Sequence, residues 1–376
     1  MLFWGPPGIG KSSIIEGLGR AYGMHVETLS PGERGEAAFG VVPVPQKKKD
    51  GTQSLSYPKP DWCDMFDDTD GKGIVFVDEL NTATPDVQPA LLGLIEARRI
   101  GSHYLGRGVR PLGAANPVEQ AAGGWDLPPA LANRFGHMSW EPPSAQEWAR
   151  WLVEEEAVFA TSSGGAEGAG EPQFSCAAEE ARVMQAWPAE VAKAKGLVAA
   201  FVRARPHLLL KQPAEGDPAA GRAWPSPRTW HMATRALASS AIHGLGEADS
   251  VALTSAFVGS AAAGEFVEFR AKADLPDPAD VLSGKVKWAH EPARLDRTFA
   301  VLSACAALLC NTPKPAAEHV ETMWRLLDET CSSAKDIVWQ AAEPLVKRGI
   351  GVNTSEARKV LAALNVMIEA RARGRR

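Results

Sequence analysis

Gly5-Pro6-Pro7-Gly8-Ile9-Gly10-Lys11-Ser12 fits the spacing G-x-x-x-x-G-K-[ST] at every fixed position. It lies between an apolar run (Leu2, Phe3, Trp4) and a segment of helical pattern from Ser12 to Ala21. A strand, a glycine-rich turn and a helix in that order are the setting in which this spacing binds phosphate. The glycines let backbone N–H groups turn inward, and the helix adds the positive end of its dipole. Lys11 reaches the outer phosphate oxygens and the Ser12 hydroxyl is suited to Mg²⁺. Gly5, Pro6, Pro7, Gly8, Ile9, Gly10, Lys11, Ser12 and the following Ser13 are therefore the candidate nucleotide-binding residues.

Further along, Gly73-Ile74-Val75-Phe76-Val77-Asp78-Glu79 is a continuous apolar run ending in two carboxylates. It reads as a buried parallel strand that delivers acids to its C-terminal end, the edge at which open α/β sheets hold ligands. The two acids have different tasks. Asp78, with Ser12, serves the metal through its water shell, and Glu79 polarises an attacking water. A solvated acidic turn is the plain alternative, and the phosphate-loop spacing upstream weighs against it.

Pro111 to Pro117 reads as a short strand ending at Asn116. On a strand beside the acidic one, its amide would donate and accept at once, next to the outermost phosphate and the water. Asn-Pro is also a common turn starter. Leu127 to Phe135 reads as a short helix that ends at Arg134, which taken alone is a surface arginine. In Trp224-Pro225-Ser226-Pro227-Arg228-Thr229-Trp230, Ser226 is a helix cap and Pro227 the first helical position. Arg228 then falls in the first turn, where the dipole disfavours a cation, and an anionic partner would offset that.

These residues need elements to hold them. His25 to Leu29 alternates like a short strand, ended by Ser30-Pro31-Gly32. Val41 to Pro45 and Ser54 to Pro58 flank Lys47-Lys48-Lys49-Asp50-Gly51, where Asp-Gly signals a hairpin and the prolines keep the ribbon out of a sheet interior. A second short hairpin is expected over Arg99 to Arg110. Between the two, Thr84 caps a helix with Pro85 in its first turn and a stripe of Val87, Leu91, Leu94 and Ile95. Pro89 is expected to remove a backbone hydrogen bond there and kink the first turns. From Ser144 the composition changes. Ser144-Ala145-Gln146-Glu147 is a capping box opening a Trp-rich helix, and 161–172 is a Gly/Ser/Ala-rich stretch expected to be mobile. Helical patterns follow from Pro188 to Arg205, from Pro227, beyond Asp249 to about Ala271, and in three or four segments after Arg294. Only four residues precede the phosphate loop, so the expectation is a short leading strand with no purine-binding wall upstream.

Length and composition set the bounds. The 376 residues suffice for two or three domains, and 45% hydrophobic with 23% charged residues is ordinary for a globular chain. No apolar run approaches the ~20 residues of a membrane span, and no basic region followed by an apolar core opens the chain, so a cytoplasmic protein without membrane contact is expected. Five cysteines (Cys63, Cys176, Cys305, Cys310, Cys331) form no C-x-x-C pair and read as reduced structural thiols. A net charge of −5 gives no global attraction to nucleic acid, leaving Lys47, Lys48 and Lys49 and the arginine tail as local basic features.

In order, Gly5 to Ser12, Ile74 to Glu79, Asn116-Pro117-Val118-Glu119-Gln120, Leu127-Pro128 with Asn133-Arg134-Phe135, and Ser226-Pro227-Arg228 resemble the MoxR-like branch of the AAA+ ATPases over roughly residues 1 to 235. Asp78-Glu79-Leu80-Asn81-Thr82-Ala83 and Trp125-Asp126-Leu127 resemble its bacterial group in particular. The resemblance implies ATP and Mg²⁺, an α/β fold with a parallel sheet of order 5-1-4-3-2, and assembly into a ring, usually a hexamer. It further implies an α/β core over 1–142, a helical lid over 143–290 and a helical C-terminal region over 291–376. By the same resemblance Asn116 is a first sensor, Arg134 a finger entering the neighbouring subunit's site, and Arg228 a second sensor on the lid, all joining Glu79 in catalysis. The two hairpins resemble pore-lining insertions.

The function implied is ATP-driven remodelling of a protein client, in company with a von Willebrand factor A domain protein. Two alternatives stay open. One is a nucleic-acid motor or nucleotide-dependent nuclease subunit, favoured by Lys47 to Lys49 and disfavoured by the acidic total. The other is a nucleotide-binding module that does not hydrolyse, which the full set of phosphate-site residues disfavours.

Overall fold

The structure, a computed structural model, describes residues 1–47, 51–68, 72–117, 126–144, 176–214 and 216–373. The capping box beyond Ser144, the Trp-rich helix, the stretch 161–172, Lys48 and Lys49 lie outside these residues. The chain divides into two compact units. One comprises Met1–Glu180 with Pro213–Trp224, the other Ala181–Gln212 with Pro225–Arg376.

The strands of the first unit, among the described residues, are β1 (Leu2–Trp4), β2 (Val26–Leu29), β3 (Val44–Lys47), β4 (Gln53–Ser56), β5 (Lys72–Val77), β6 (Arg99–Ile100), β7 (His103–Tyr104), β8 (Gly108–Ala115) and β9 (His137–Ser139). Five form one sheet in the order β2-β5-β8-β1-β9, every pair parallel. Counted along the chain these five give the expected order 5-1-4-3-2.

The apolar run of β5 explains its central place. Ile74 and Phe76 pack with Ile15 of helix α1 (Lys11–Tyr22), whereas Val75 and Val77 pack in the cluster that holds Leu80, Leu91 and Leu94. A strand buried on both faces cannot alternate with polar residues. Pro111 lies within β8 opposite Val75, but β1 joins β8 only from Gly113 onward. The proline thus has a paired strand on one side only, where it is tolerated.

Two short helices, α2 (Pro31–Arg34) and α3 (Asp64–Asp68), precede β5. The helix after the acidic turn starts later than its pattern indicates. It is α4 (Gln88–Ala97), with Pro89 in its first turn. There the missing N–H is one that no helix satisfies, so Pro89 starts the helix and does not kink it. Thr84 contributes its carbonyl instead, accepting from the Val87 and Gln88 N–H groups at 3.0 and 3.1 Å. Both hairpins form, β3 with β4 and β6 with β7, the second ending at Tyr104 because the chain from Gly108 already belongs to the sheet. Ser102 Oγ donates to the Tyr57 carbonyl at 2.9 Å and ties one hairpin to the other.

The second unit is helical. The helix Cys176–Ala204, which belongs to this unit from Ala181 onward, begins before Pro188 and runs through it. Met184, whose carbonyl the proline leaves without a donor, is exposed, so water can serve that group. Pro227–Ile242 carries the expected cap: the Ser226 hydroxyl accepts from the Thr229 N–H at 3.1 Å and Thr229 Oγ1 accepts from the Ser226 N–H at 2.8 Å. The next helical stretch is broken at Gly259 into Glu247–Val258 and Ser260–Ala273. Among the described residues four helices follow Arg294, and their core residues, such as Leu302, Cys305, Trp324 and Leu345, share one cluster with Ala200, Val281 and Leu282. Phe201, Trp230 and Phe266 form an aromatic group with ring centroids 5.2 to 5.7 Å apart.

Candidate active site

The phosphate loop leaves β1 at Trp4 and enters α1 at Lys11. Gly5 is hemmed in, since a Cβ there would lie 2.7 Å from both Ile9 Cδ1 and the Trp140 carbonyl oxygen. Gly10, the N-cap of α1, has φ 85°, a left-handed conformation that side chains resist. The turn therefore delivers the helix N-terminus, with its free N–H groups, to the end of the sheet.

Lys11 is buried, 6% exposed, and its ammonium donates to Gly5 O, Pro6 O and Asn116 Oδ1, each at 2.9 Å. Burial lowers its pKa, while the charges of Asp78 and Glu79 work in the other direction and favour the ammonium. The Ser12 hydroxyl donates to Asp78 Oδ2, and the Glu79 N–H donates to Asp78 Oδ1 at 2.8 Å. Hard oxygen donors thus converge from the loop and from the end of β5, a donor set that suits Mg²⁺ shared with phosphate oxygens.

Glu79 itself has φ 49°, an uncommon conformation for a residue with a side chain. The turn Leu80–Thr82 maintains it, with the N–H and hydroxyl of Thr82 both donating to the Glu79 carbonyl at 2.8 Å. Asn116, one residue beyond β8, donates from Nδ2 to Glu79 Oε1 at 3.5 Å while its Oδ1 accepts from Lys11. Pro7, Gly8, Gly10, Lys11, Ser12, Ser13, Asp78, Glu79 and Asn116 together line a cavity of about 310 Å³. Gly5, Pro6 and Ile9 build the loop behind it.

Residues 1–139 match the model of the ATPase family associated with various cellular activities (AAA). The chain carries an AAA+ ATPase domain. Over 104 residues it is 36% identical to the ATP-dependent protease ATP-binding subunit-like protein AmiB of Pseudomonas aeruginosa, a match covering 25% of this chain and 26% of that protein. The chain thus matches about a quarter of that relative's length. Among solved structures, a candidate ATPase from Cytophaga hutchinsonii is similar at 17% identity with a TM-score of 0.38, covering 68% of this chain and 74% of that one. A likeness that distant has no bearing on function.

Of the remaining sequence-predicted residues, Arg134 shares a unit with the cavity without lining it, and Arg228 falls in the other unit. Arg134 follows helix α5 (Pro129–Ala132), and its guanidinium donates from Nε to Glu96 Oε2 at 2.8 Å and from NH1 to Ala130 O at 2.6 Å. Arg228 belongs to the second unit, exposed in the first turn of Pro227–Ile242.

The structure also supplies residues that sequence reasoning did not assign. Asn81, 1% exposed, bonds through both ends of its amide to the main chain of Asn116. The only local signal was an amide in the short turn directly after the two carboxylates. Beneath the loop, Trp4 Nε1 donates to His137 Nδ1 at 2.9 Å. Because indole only donates, Nδ1 is the bare nitrogen and Nε2 carries the proton, which it donates to Ala132 O at 2.9 Å. Burial pushes the His137 pKa down to about 4. Arg222 lies over the Trp4 ring, its Cζ 3.5 Å from the ring centroid. No periodicity or spacing links residues 4, 137 and 222.

Proposed function

We propose that this chain is a MoxR-like ATPase that hydrolyses ATP in a ring, usually of six copies, and remodels a protein client in the cytoplasm. The observation that carries the reading is the meeting of Glu79, Asn116 and Lys11 in the lining of a cavity that they share with the phosphate loop. Lys11 exchanges its bond to Asn116 Oδ1 for one to a phosphate oxygen, which frees the amide to hold the attacking water. Glu79 takes the proton from that water as its oxygen attacks the outermost phosphorus, and the bond to the ADP oxygen breaks on the opposite side. Ser12 and Asp78 would hold Mg²⁺, which when bound would neutralise phosphate charge during the transfer.

Arg134 and Arg228 act as finger and second sensor in this reading, placing cations on charge that develops during transfer. Hydrolysis then lets the core over 1–142 and the helical lid over 143–290 move. The name of the curated relative, an ATP-dependent protease ATP-binding subunit-like protein, favours a protein client over nucleic acid. A von Willebrand factor A domain protein is the partner that the motif resemblance suggests.

The test is steady-state ATP hydrolysis against protein concentration, with light scattering on the same samples, for the chain and for Glu79→Gln. Specific activity is expected to rise with assembly and to fall by roughly 10²- to 10⁴-fold in the variant, with nucleotide binding kept. Equal turnover in both proteins would refute the assignment of Glu79.

A further inference from the structure

β5 and β8 pair as far as Val77 and Gly113, after which β5 turns away into Asp78, Glu79 and the turn Leu80–Thr82. The end of β8 therefore outlives its neighbour. Asn81 takes the neighbour's place: its Nδ2 donates to the Asn116 carbonyl at 3.0 Å and its Oδ1 accepts from the Asn116 N–H at 3.3 Å. A primary amide offers one donor and one acceptor in the same plane, as an adjacent strand does. Both partners are buried, Asn81 at 1% and Asn116 at 5% exposure, so water does not substitute for either bond.

The clamp bears on the chemistry because of what the Asn116 side chain does. Its Oδ1 meets the Lys11 ammonium at 2.9 Å and its Nδ2 faces Glu79 Oε1 at 3.5 Å. Rotating or sliding the Asn116 main chain would break that bridge. Asn81 also belongs to the turn whose Thr82 holds the Glu79 carbonyl. One short segment thus sets both the base and the amide opposite it.

We propose that Asn81 is a positioning residue for ATP hydrolysis, holding Asn116 in register with Glu79 and Lys11. This rests on the reading of Glu79 and Asn116 as the pair that handles the attacking water. Lys11 and Ser12 keep their own supports, so the clamp governs turnover and not nucleotide capture.

The experiment is a double-mutant cycle on the full chain, with Asn81→Ala, Asn116→Ala and the pair. Turnover and ATP KM are measured for each, and binding of a fluorescent ATP analogue is followed alongside. Asn81→Ala is expected to lower kcat roughly ten- to a hundred-fold, the cost of a small misplacement, with KM changed by less than about threefold. In the double variant it should add little to Asn116→Ala, because a residue that acts through another has no effect once that other is removed. Independent, multiplying losses, or an unchanged kcat, would overturn the proposal. Where the alanine variant fails to fold, Asn81→Asp serves. It keeps the acceptor for the Asn116 N–H and sets a carboxylate against the Asn116 carbonyl, so kcat should fall again, and wild-type kcat in this variant would equally overturn the proposal. Turnover indifferent to Glu79→Gln would sink the underlying reading instead, with the inference resting on it, and the analogue binding would show that the fold survived.

Discussion

Two parts of the ATPase unit handle their charged groups in opposite ways. At the end of β5 and β8 the polar atoms serve one another across a cavity: Lys11 with Asn116, Ser12 with Asp78, Asn116 with Glu79. On the flank formed by α4 and α5, Arg134 is engaged with Glu96 and the Ala130 carbonyl and lines no part of that cavity. The first part is arranged for chemistry within one chain. The second is a partly exposed ion pair, with Arg134 Nε 2.8 Å from a half-exposed Glu96, of a kind worth at most about 1 kcal/mol. His137 connects the two, accepting from Trp4 at the root of the loop and donating to Ala132 two residues before Arg134.

The comparison breaks most visibly at Arg134. Arg134→Ala is expected to reduce turnover roughly 10³-fold while nucleotide affinity stays within a few-fold, the behaviour of an arginine that acts on a neighbour's phosphate. Turnover and analogue binding measured at assembling concentrations decide it. Undiminished turnover would leave Arg134 as a tie between α4 and α5 and nothing more.

A smaller effect is expected at the connecting histidine, and it depends on pH. His137 is neutral in the fold with its pKa lowered to about 4, so between the ordinary histidine value near 6.5 and about 4 the unfolded chain binds a proton that the folded chain does not. Its contribution is therefore intact above pH 6.5 and is lost as the pH falls toward 4, by up to roughly 3 kcal/mol. Urea denaturation across that range should show a steeper decline for the wild type than for His137→Gln, which has no proton to gain. Parallel slopes would mean that His137 is not held neutral by its surroundings.

The least effect belongs to Arg222. Removing its stack on Trp4 with Arg222→Ala should cost about 1 kcal/mol of stability, and Arg222→Lys should recover part of it. Denaturant midpoints of the three proteins give the answer. A loss of turnover with no change in midpoint would show that the stack tunes the loop directly.

What was legible in the sequence followed from rules of short reach. The phosphate loop, the acidic strand end and the Ser226 cap each occupy fewer than ten residues, and their spacing implies their geometry. The sheet order came with the family resemblance and matches the observed pairing. Pro89 misled because a proline at an unrecognised helix start looks the same as one in an interior, and the true start at Gln88 has no side-chain cap to announce it. Pro188 misled in the converse way, since a helix can pass through a proline when the freed carbonyl faces water. Asn81, His137 and Arg222 were invisible for a different reason. Each acquires its role from a partner 35 or more residues away, which only the folded sheet brings close.

The segment Pro213–Trp224 has a further consequence for the architecture as a thing to be cut and rejoined. It belongs to the ATPase unit although helices of the other unit precede and follow it, so the chain crosses between units after Glu180, after Gln212 and after Trp224. Arg222 reaches Trp4 from this segment, and Gly221 sits close enough to Leu127 that a Cβ would lie 3.3 Å from its carbonyl oxygen. A fragment ended by a single cut at Glu180 would strip both covers from the ATPase unit. The ATPase unit is therefore discontinuous in sequence, and any fragment meant to keep it whole has to carry 213–224 as well as 1–180.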